Sequence, residues 1–225
     1  MSAPTHPAAV GAERFFALSL DLLAVAGFDG YLRRANPAWE RAVGWTEEEL
    51  TARPYLEFVH PDDRERALSE AARLAESASE TIDFEVRFAT RDSDWRWLLF
   101  SSQSDPEEGV IYSVGRDVTE RRTAEAHRAA QHAVEAALLE AEGIEAAAPP
   151  LLAGLGEALG WEAGGLWTLD PDSDRLRCVA FWAADPSRGA ELECVSRELS
   201  PARGQGLLGR VVAAGATEWS VDGVD

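Results

Sequence analysis

The sequence predicts an α+β fold class: a five-stranded antiparallel sheet with helices inserted after its second strand, a connecting helix, and a smaller, incomplete α/β unit. Three observations lead there. Ile82, Phe84, Val86 and Phe88 alternate with Asp83, Glu85 and Arg87, the period of a strand with one buried face. Gly109 to Arg122, GVIYSVGRDVTERR, turns an alternating strand into a charged helix with no loop between. From Asp117 to Glu142 the chain is Ala-rich and almost free of turn residues, as a long helix requires, and Gly143 closes it.

The elements follow in order. Leu22 to Val25 is a short apolar strand, and Gly27, Asp29 and Gly30 supply the turn that folds it back on Tyr31 to Ala35. Pro37 to Val43 reads as a short helix ended by Gly44, and Thr46 with Glu49 forms a capping box that opens a second helix through Leu50. Pro61, Asp62 and Asp63 mark the next helical start, since carboxylates favour the positive end of the dipole, and that helix extends to Glu76. The strand at Ile82 comes next, then Trp95 to Ser101 and Val110 to Gly115, separated by turns at Asp92 to Asp94 and Asp105 to Gly109.

Composition limits what the chain can do. Its 225 residues suffice for one or two domains with real cores, and 46% hydrophobic with 27% charged residues is a globular composition. Forty acidic residues against 21 basic ones give a net charge of -19, a field that repels phosphate backbones, so nucleic acid is not an expected partner. Every basic residue other than histidine is arginine, which excludes a lysine Schiff base or a P-loop lysine. The two cysteines, Cys178 and Cys194, have no partners at metal-ligand spacing, so no metal site is expected and the expected compartment is a reducing cytoplasm. No apolar run reaches the ~20 residues of a membrane span, because Asp21 interrupts the best stretch, Phe15 to Phe28. Residues 1–12 are Ala- and Pro-rich without a basic region and read as a loose, disordered tail.

This order of elements resembles the PAS domain with its C-terminal PAC segment. The residues that carry the resemblance are Asp29 and Gly30 in the first turn, Asn36 opening the first helix, Gly44 and Trp45 before TEEEL, VHPDDR from Val59 to Arg64, RDSDWRW, and GRDVTERR from Gly115 to Arg122. They span residues 13 to 122, and the domain itself is set at 13–117. Ser93 stands where the family usually places Gly in a hairpin turn. The resemblance implies a sensory or dimerisation module whose sheet and helices enclose a small pocket. Its apolar residues here are Phe84, Val86, Trp97, Leu99 and Val114, which serve equally as pocket lining or as plain core.

The family's cofactors differ from member to member, so the cofactor stays unknown. Its light-sensing flavin subgroup uses a Cys that this chain lacks before 178, which excludes a cysteine-flavin adduct. Haem-binding members draw an axial His from the helix that here spans Arg64 to Glu76, and it contains none, so haem is not expected. His60 reads as a cap or turn residue. In the family an Asp and a Thr tie the last strand to the outgoing helix, and Asp117 and Thr119 occupy those positions as candidate signal-coupling residues.

Residues 118–143 form the linker helix. His127, Gln131, Val134, Leu138 and Ala141 fall on a heptad seam, which favours a homodimer through a coiled coil. His127 precedes Arg-Ala-Ala and His132 precedes Ala-Val-Glu, neither of which matches a kinase phospho-acceptor box. Residues 144–225 read as a helix broken near Pro149 and Pro150, a strand from Gly164 to Leu169, a strand from Leu176 to Trp182, and a helix after Gly206. This unit resembles the N-terminal part of a GAF domain, another ligand-binding sensor fold, through Trp167, Leu169 and GQGLLGRVVAAG, and by that resemblance it is truncated after Asp225. Gly204, Gly206 and Gly209 spell GxGxxG, but the hydrophobic strand that a dinucleotide site needs before it is missing, so they read as a turn. Cys178 lacks the following His of bilin-binding members and reads as an inert thiol.

Together these readings describe a cytoplasmic sensory and relay segment, not itself an enzyme, with a possible small-molecule ligand. The resemblance places the effector domain downstream, in a histidine kinase. The alternatives are a ligand-free structural dimerisation module, or the input region of a cyclic-dinucleotide enzyme or protein phosphatase.

Overall fold

The computed structural model describes residues 7–76 and 79–220. The chain divides into two compact units, one up to Arg122 and one from Thr123. The first opens with helix α1 (Pro7–Leu18), followed by strands β1 (Leu22–Gly27) and β2 (Leu32–Ala35) and helices α2 (Ala38–Val43) and α3 (Glu47–Thr51). Two single 3-10 turns, Tyr55–Glu57 and Pro61–Asp63, lead into helix α4 (Arg64–Glu76), and strands β3 (Glu80–Ala89), β4 (Trp95–Asp105) and β5 (Val110–Asp117) complete the unit. The strands make one antiparallel sheet in the order β2-β1-β5-β4-β3. This is a PAS-like α+β fold, with the helices inserted after the second strand.

Local chemistry fixes the inserted segment. The Thr46 hydroxyl accepts the Glu49 N–H at 3.3 Å and the Glu49 carboxylate accepts the Thr46 N–H at 3.0 Å, the reciprocal capping box that opens α3. Asn36 is buried, and instead of capping α2 it accepts the Leu23 N–H at 3.0 Å and donates to the carbonyls of Asp21 and Phe16 at 2.9 and 3.2 Å. The core combines Trp39, Phe58, Phe88, Leu50 and Leu98 with the inward residues of the sheet, and the Phe58 and Phe88 rings stack at 5.4 Å. The indole N–H groups of the buried Trp39 and the half-buried Trp45 donate to the carbonyls of Leu23 and Ala89, so neither ring leaves its polar atom unpaired.

Two expectations for this unit are corrected. From Pro7 the chain is helical rather than a loose tail; residues 1–6 lie outside the described residues. Good helix formers follow a proline that needs no amide partner at a helix start, and the far end is tied down by Asn36 and by the Arg34–Glu13 pair at 2.8 Å. Ile82 does not share the buried face with Phe84, Val86 and Phe88. A bulge between Thr81 and Phe84, with Asp83 at φ 57°, turns Thr81 inward and leaves Ile82 67% exposed. Ser93 takes a left-handed conformation, φ 68°, in the turn that joins β3 to β4.

The second unit contains helix α5 (Thr119–Glu140) from Thr123 onward, helix α6 (Ile144–Leu159), strands β6 (Ala163–Asp170) and β7 (Arg175–Ala183), and helices α7 (Pro186–Glu198) and α8 (Gly206–Ala214). Ala130 and Ala137 are buried, and a side chain at Gly154 of α6 would collide with Ala133, so α5 and α6 pack through small residues. Strands β6 and β7 form an antiparallel pair, and Ala148, Leu152 and Ala180 make the core with Trp182 laid against Gly156.

Helix α6 is continuous through Pro149 and Pro150 rather than broken there. Proline's fixed φ is helical; it forfeits hydrogen bonds, and burial of Ala147, Ala148 and Leu152 offsets the loss. Helix α7 has no counterpart in the sequence reading. Its signal is Asp185-Pro186: the Asp185 carboxylate caps the Ser187 N–H at 2.9 Å and proline fills the first helical position. Gly204 adopts φ 82° in the turn before α8, and Gly206, at φ 60°, opens the helix.

Candidate ligand cavity and strand-to-helix junction

Between the sheet and α4 the first unit holds a partly open cavity of about 110 Å³. Its floor is the inner face of the sheet: Ala24 and Ala26 of β1, Phe84, Val86 and Phe88 of β3, Phe100 and Ser102 of β4, and Ile111 and Ser113 of β5. Trp39, Tyr55 and Val59 close one side, and α4 closes the other with Ala67, Glu70, Ala71 and Leu74, one helical face at i, i+3, i+4 and i+7. The volume lies well below the ~300–1,000 Å³ of pockets that enclose drug-sized ligands.

Its polar groups are few. The Ser102 and Ser113 hydroxyls bond to each other at 2.8 Å across β4 and β5. Glu70 is paired with Arg73 at 2.6 Å and accepts from the Thr81 hydroxyl, and those two partners, Arg73 first, hold its carboxyl below the usual range. Burial pushes the Tyr55 phenol above its ordinary value.

The structure brings together two of the five residues singled out for the pocket, Phe84 and Val86. Trp97, Leu99 and Val114 lie on the opposite face of the sheet, which corrects their assignment. Val86 pairs with Leu98 and Phe84 with Phe100, so Leu98 and Phe100 point inward and period two sends Trp97 and Leu99 outward. Val114, between Ser113 and Gly115, is 43% exposed. The run from Trp97 to Phe100 is apolar at successive positions, so it carries no alternation from which to choose a face. Trp39, Tyr55, Phe100 and the α4 face were not legible as pocket residues; the 3.6-residue spacing on α4 was the one available signal.

Asp117 and Thr119 do meet, at the end of β5. Only Val118 separates strand from helix. The Asp117 carboxylate accepts the Thr119 N–H at 2.9 Å and pairs with Arg96 at 3.5 Å. The Thr119 hydroxyl accepts the Trp97 N–H at 2.9 Å, and Val118 donates its N–H to the Trp97 carbonyl at 2.8 Å. Glu85 of β3 pairs with Arg121 at 2.9 Å and with Arg122 at 3.1 Å. The start of α5 is thus held by β3 and β4 as well as by its own strand.

Trp97 extends this contact further. The guanidinium of Arg122 lies 4.6 Å from its ring centroid and that of Arg87 lies 5.5 Å away. Arg87 in turn clamps the buried Asp63 with contacts of 2.9 and 3.0 Å and donates its backbone N–H to the same carboxylate, which holds Asp63 below the ordinary aspartate range. Asp63 immediately precedes α4, the helix that walls the cavity. A chain of direct contacts, Asp63, Arg87, Trp97, Arg122, therefore runs from the cavity's helix to the outgoing one. His60 sits beside it as a cap, its Nδ1 accepting the Asp62 N–H at 3.2 Å.

Among the described residues no helix is long and apolar enough to cross a membrane, and no group of three His, Cys, Asp or Glu side chains is arranged to hold a metal ion.

Comparison with known proteins places this fold. Residues 33–115 match the family model described as the PAS fold. The chain is 28% identical over 96 residues, 40% of its length, to the sensor histidine kinase TmoS of Ectopseudomonas mendocina, and it spans only 10% of that relative. A domain of the sensory box sensor histidine kinase/response regulator from Geobacter sulfurreducens is similar at 23% identity and a TM-score of 0.44, over 49% of this chain and 94% of that one. The PAS domain of a protein from Colwellia psychrerythraea is similar at 20% identity and a TM-score of 0.45, over 49% and 97% respectively. The first unit has a PAS-like fold, by the family match over residues 33–115 and by its sheet.

Proposed function

From the PAS fold of residues 33–115, we propose that this chain is a cytoplasmic sensory and signal-relay module, in which occupancy of the first unit's core is passed to helix α5. The observation that supports this most is the junction: β5 passes into α5 through one residue, and the first helical turn is held by Trp97 of β4 and Glu85 of β3. A shift of strands β3 and β4 against their neighbours has to move the start of the helix or break those contacts. Asp117 and Thr119 are the coupling residues.

In this reading residues 13–117 are the PAS/PAC domain, 118–143 the linker helix, and 144–225 the N-terminal part of a GAF-like domain. A homodimer through α5 is supported by His127, Gln131 and Leu138, which stay exposed while Ala130 and Ala137 are buried. An effector domain downstream, in a histidine kinase, is supported by the similarity to TmoS over 96 residues. A ligand-free dimerisation module is the alternative, and the small volume of the cavity favours it.

Native mass spectrometry of the purified chain tests the choice. A retained small molecule that is lost on unfolding supports sensing. A dimer at the bare polypeptide mass, with no ligand recovered under any expression condition, supports scaffolding.

A further inference from the structure

We infer that the outer edge of β6 pairs with β6 of a second copy of this chain, antiparallel across a two-fold axis at Leu166, and joins two hairpins into one four-stranded sheet. The contact does not involve α5, and it does not depend on what the first unit's cavity holds.

The two sheets have four outer edges, and among the described residues three of them are met by other parts of the chain. On β2 the Ala35 N–H donates to the Glu47 carboxylate at 3.1 Å, and Tyr31 bridges Pro54. On β3 the N–H groups of Arg87 and Ala89 donate to the Asp63 carboxylate and the Phe58 carbonyl at 2.9 and 2.7 Å, while Arg66 and Arg73 of α4 donate to the carbonyls of Glu85 and Glu80. On β7 the Leu176 N–H donates to the Pro201 carbonyl at 2.9 Å. Covering an edge in this way keeps a sheet from pairing with another chain. The edge of β6 has no such cover among the described residues.

The ladder decides which backbone groups of β6 are open. Ala184 donates its N–H to the Glu162 carbonyl at 2.9 Å, so Glu162, Gly164, Leu166 and Thr168 turn their backbone groups toward β7, and Ala163, Gly165, Trp167 and Leu169 turn theirs away. No hydrogen bond from a described residue reaches the N–H or carbonyl of those four. Open space lies beside them, in a groove that Ala163, Gly164 and Gly165 share with Val211 and Val212 of α8. The edge also fits itself. With the axis at Leu166, Ala163 meets the partner's Leu169 and Gly165 meets the partner's Trp167, small against large, and every outward group finds a partner. A two-stranded sheet over a buried cluster of Ala148, Leu152 and Ala180 gains stability from added strands. One strand pair buries less than the ~1,200 Å² of a stable interface, so the dimer is weak.

Sedimentation of the full chain up to ~1 mM tests this, at about 0.5 M salt because Glu162 faces the partner's Asp170 at each end of the register. Gly165→Pro removes an outward N–H that no bond within the chain uses, so the fold is kept. The dimer dissociation constant should rise about tenfold or more, for one net hydrogen bond lost on each copy. Leu166→Cys in a Cys194→Ser background should give a disulfide-linked dimer under mild oxidation, because residues at the axis form a close, non-hydrogen-bonded pair. Thr168→Cys, which faces the partner's Gly164, should not. Association unchanged by Gly165→Pro, or cross-linking no better at Leu166 than at Thr168, overturns the inference and leaves a homodimer through α5 standing. Association that survives Leu138→Glu on α5 but is lost in Gly165→Pro supports it against that reading. A chain that stays monomeric throughout overturns both.

Discussion

The backbone of Trp97 holds both residues that follow β5: its N–H donates to the Thr119 hydroxyl at 2.9 Å, and its carbonyl accepts the Val118 N–H at 2.8 Å. One residue of β4 thus fixes where the next strand stops and the helix starts. Losing this clamp should be felt at the helix before it is felt in the core.

Thr119→Val removes the acceptor and leaves a part-buried Trp97 N–H unpaired, which should cost about 1–2 kcal/mol in urea unfolding. Thr119→Ser keeps the oxygen and should stay within ~0.5 kcal/mol of the unaltered chain. A loss in Thr119→Ser with none in Thr119→Val would mean that the methyl group, not the hydroxyl, matters.

Asp63 sets an acid limit on stability. Its carboxyl is held below the ordinary value, first by the Arg87 side-chain hydrogen bonds and then by the Arg87 backbone N–H. A lowered folded-state pKa contributes stability that is present above the unfolded value of about 3.9 and is lost as pH falls through the folded one. Urea midpoints should therefore drop as pH falls from about 5 towards 2, and Asp63→Asn should flatten that part of the curve while lowering stability at pH 7 by about 1–3 kcal/mol. An unchanged slope below pH 4 would assign the acid sensitivity elsewhere.

The bulge in β3 makes a sharp contrast between two apolar residues four positions apart. Ile82 is 67% exposed and Val86 only 3%. Ile82→Thr should change stability by no more than ~0.5 kcal/mol, whereas Val86→Ala should cost about 2 kcal/mol. Comparable losses at both positions would restore the unbroken alternation that the sequence suggests.

Gly115 is a glycine because of Phe100. A Cβ there would lie 2.5 Å from Phe100 Cε1 and 2.9 Å from Cδ1. Gly115→Ala should cost about 1–3 kcal/mol by overpacking, and adding Phe100→Leu should recover part of it. Additive losses in the double variant would show that the ring is not what the methyl meets.

Most of the first unit could be read before its structure because its local chemistry agrees with its fold. The capping box at Thr46 and Glu49, the turn at Gly30 and the step from strand to helix at Asp117 each announce themselves within a few residues. The errors fall where the outcome depends on contacts distant in sequence. Nothing in ETIDFEVRF marks Asp83 as a left-handed residue, and the bulge it makes decides which face Ile82 occupies. In WRWLLF both faces carry large apolar residues, so the pairing of Leu98 with Val86 is what sends Trp97 and Leu99 outward. Tyr55 sits in a 3-10 turn with no periodicity to mark it, and only the closed fold brings it to the cavity.

The most direct test of the coupling reads hydrogen exchange across residues 119–126 in the unaltered chain and in Phe84→Ala, under conditions where exchange proceeds without global unfolding. Phe84 lines the cavity and adjoins Glu85, the residue paired with Arg121 and Arg122. The account predicts faster exchange in the first turns of α5 together with β3 and β4. Faster exchange confined to β3 and β4, with residues 119–126 unchanged, would contradict it.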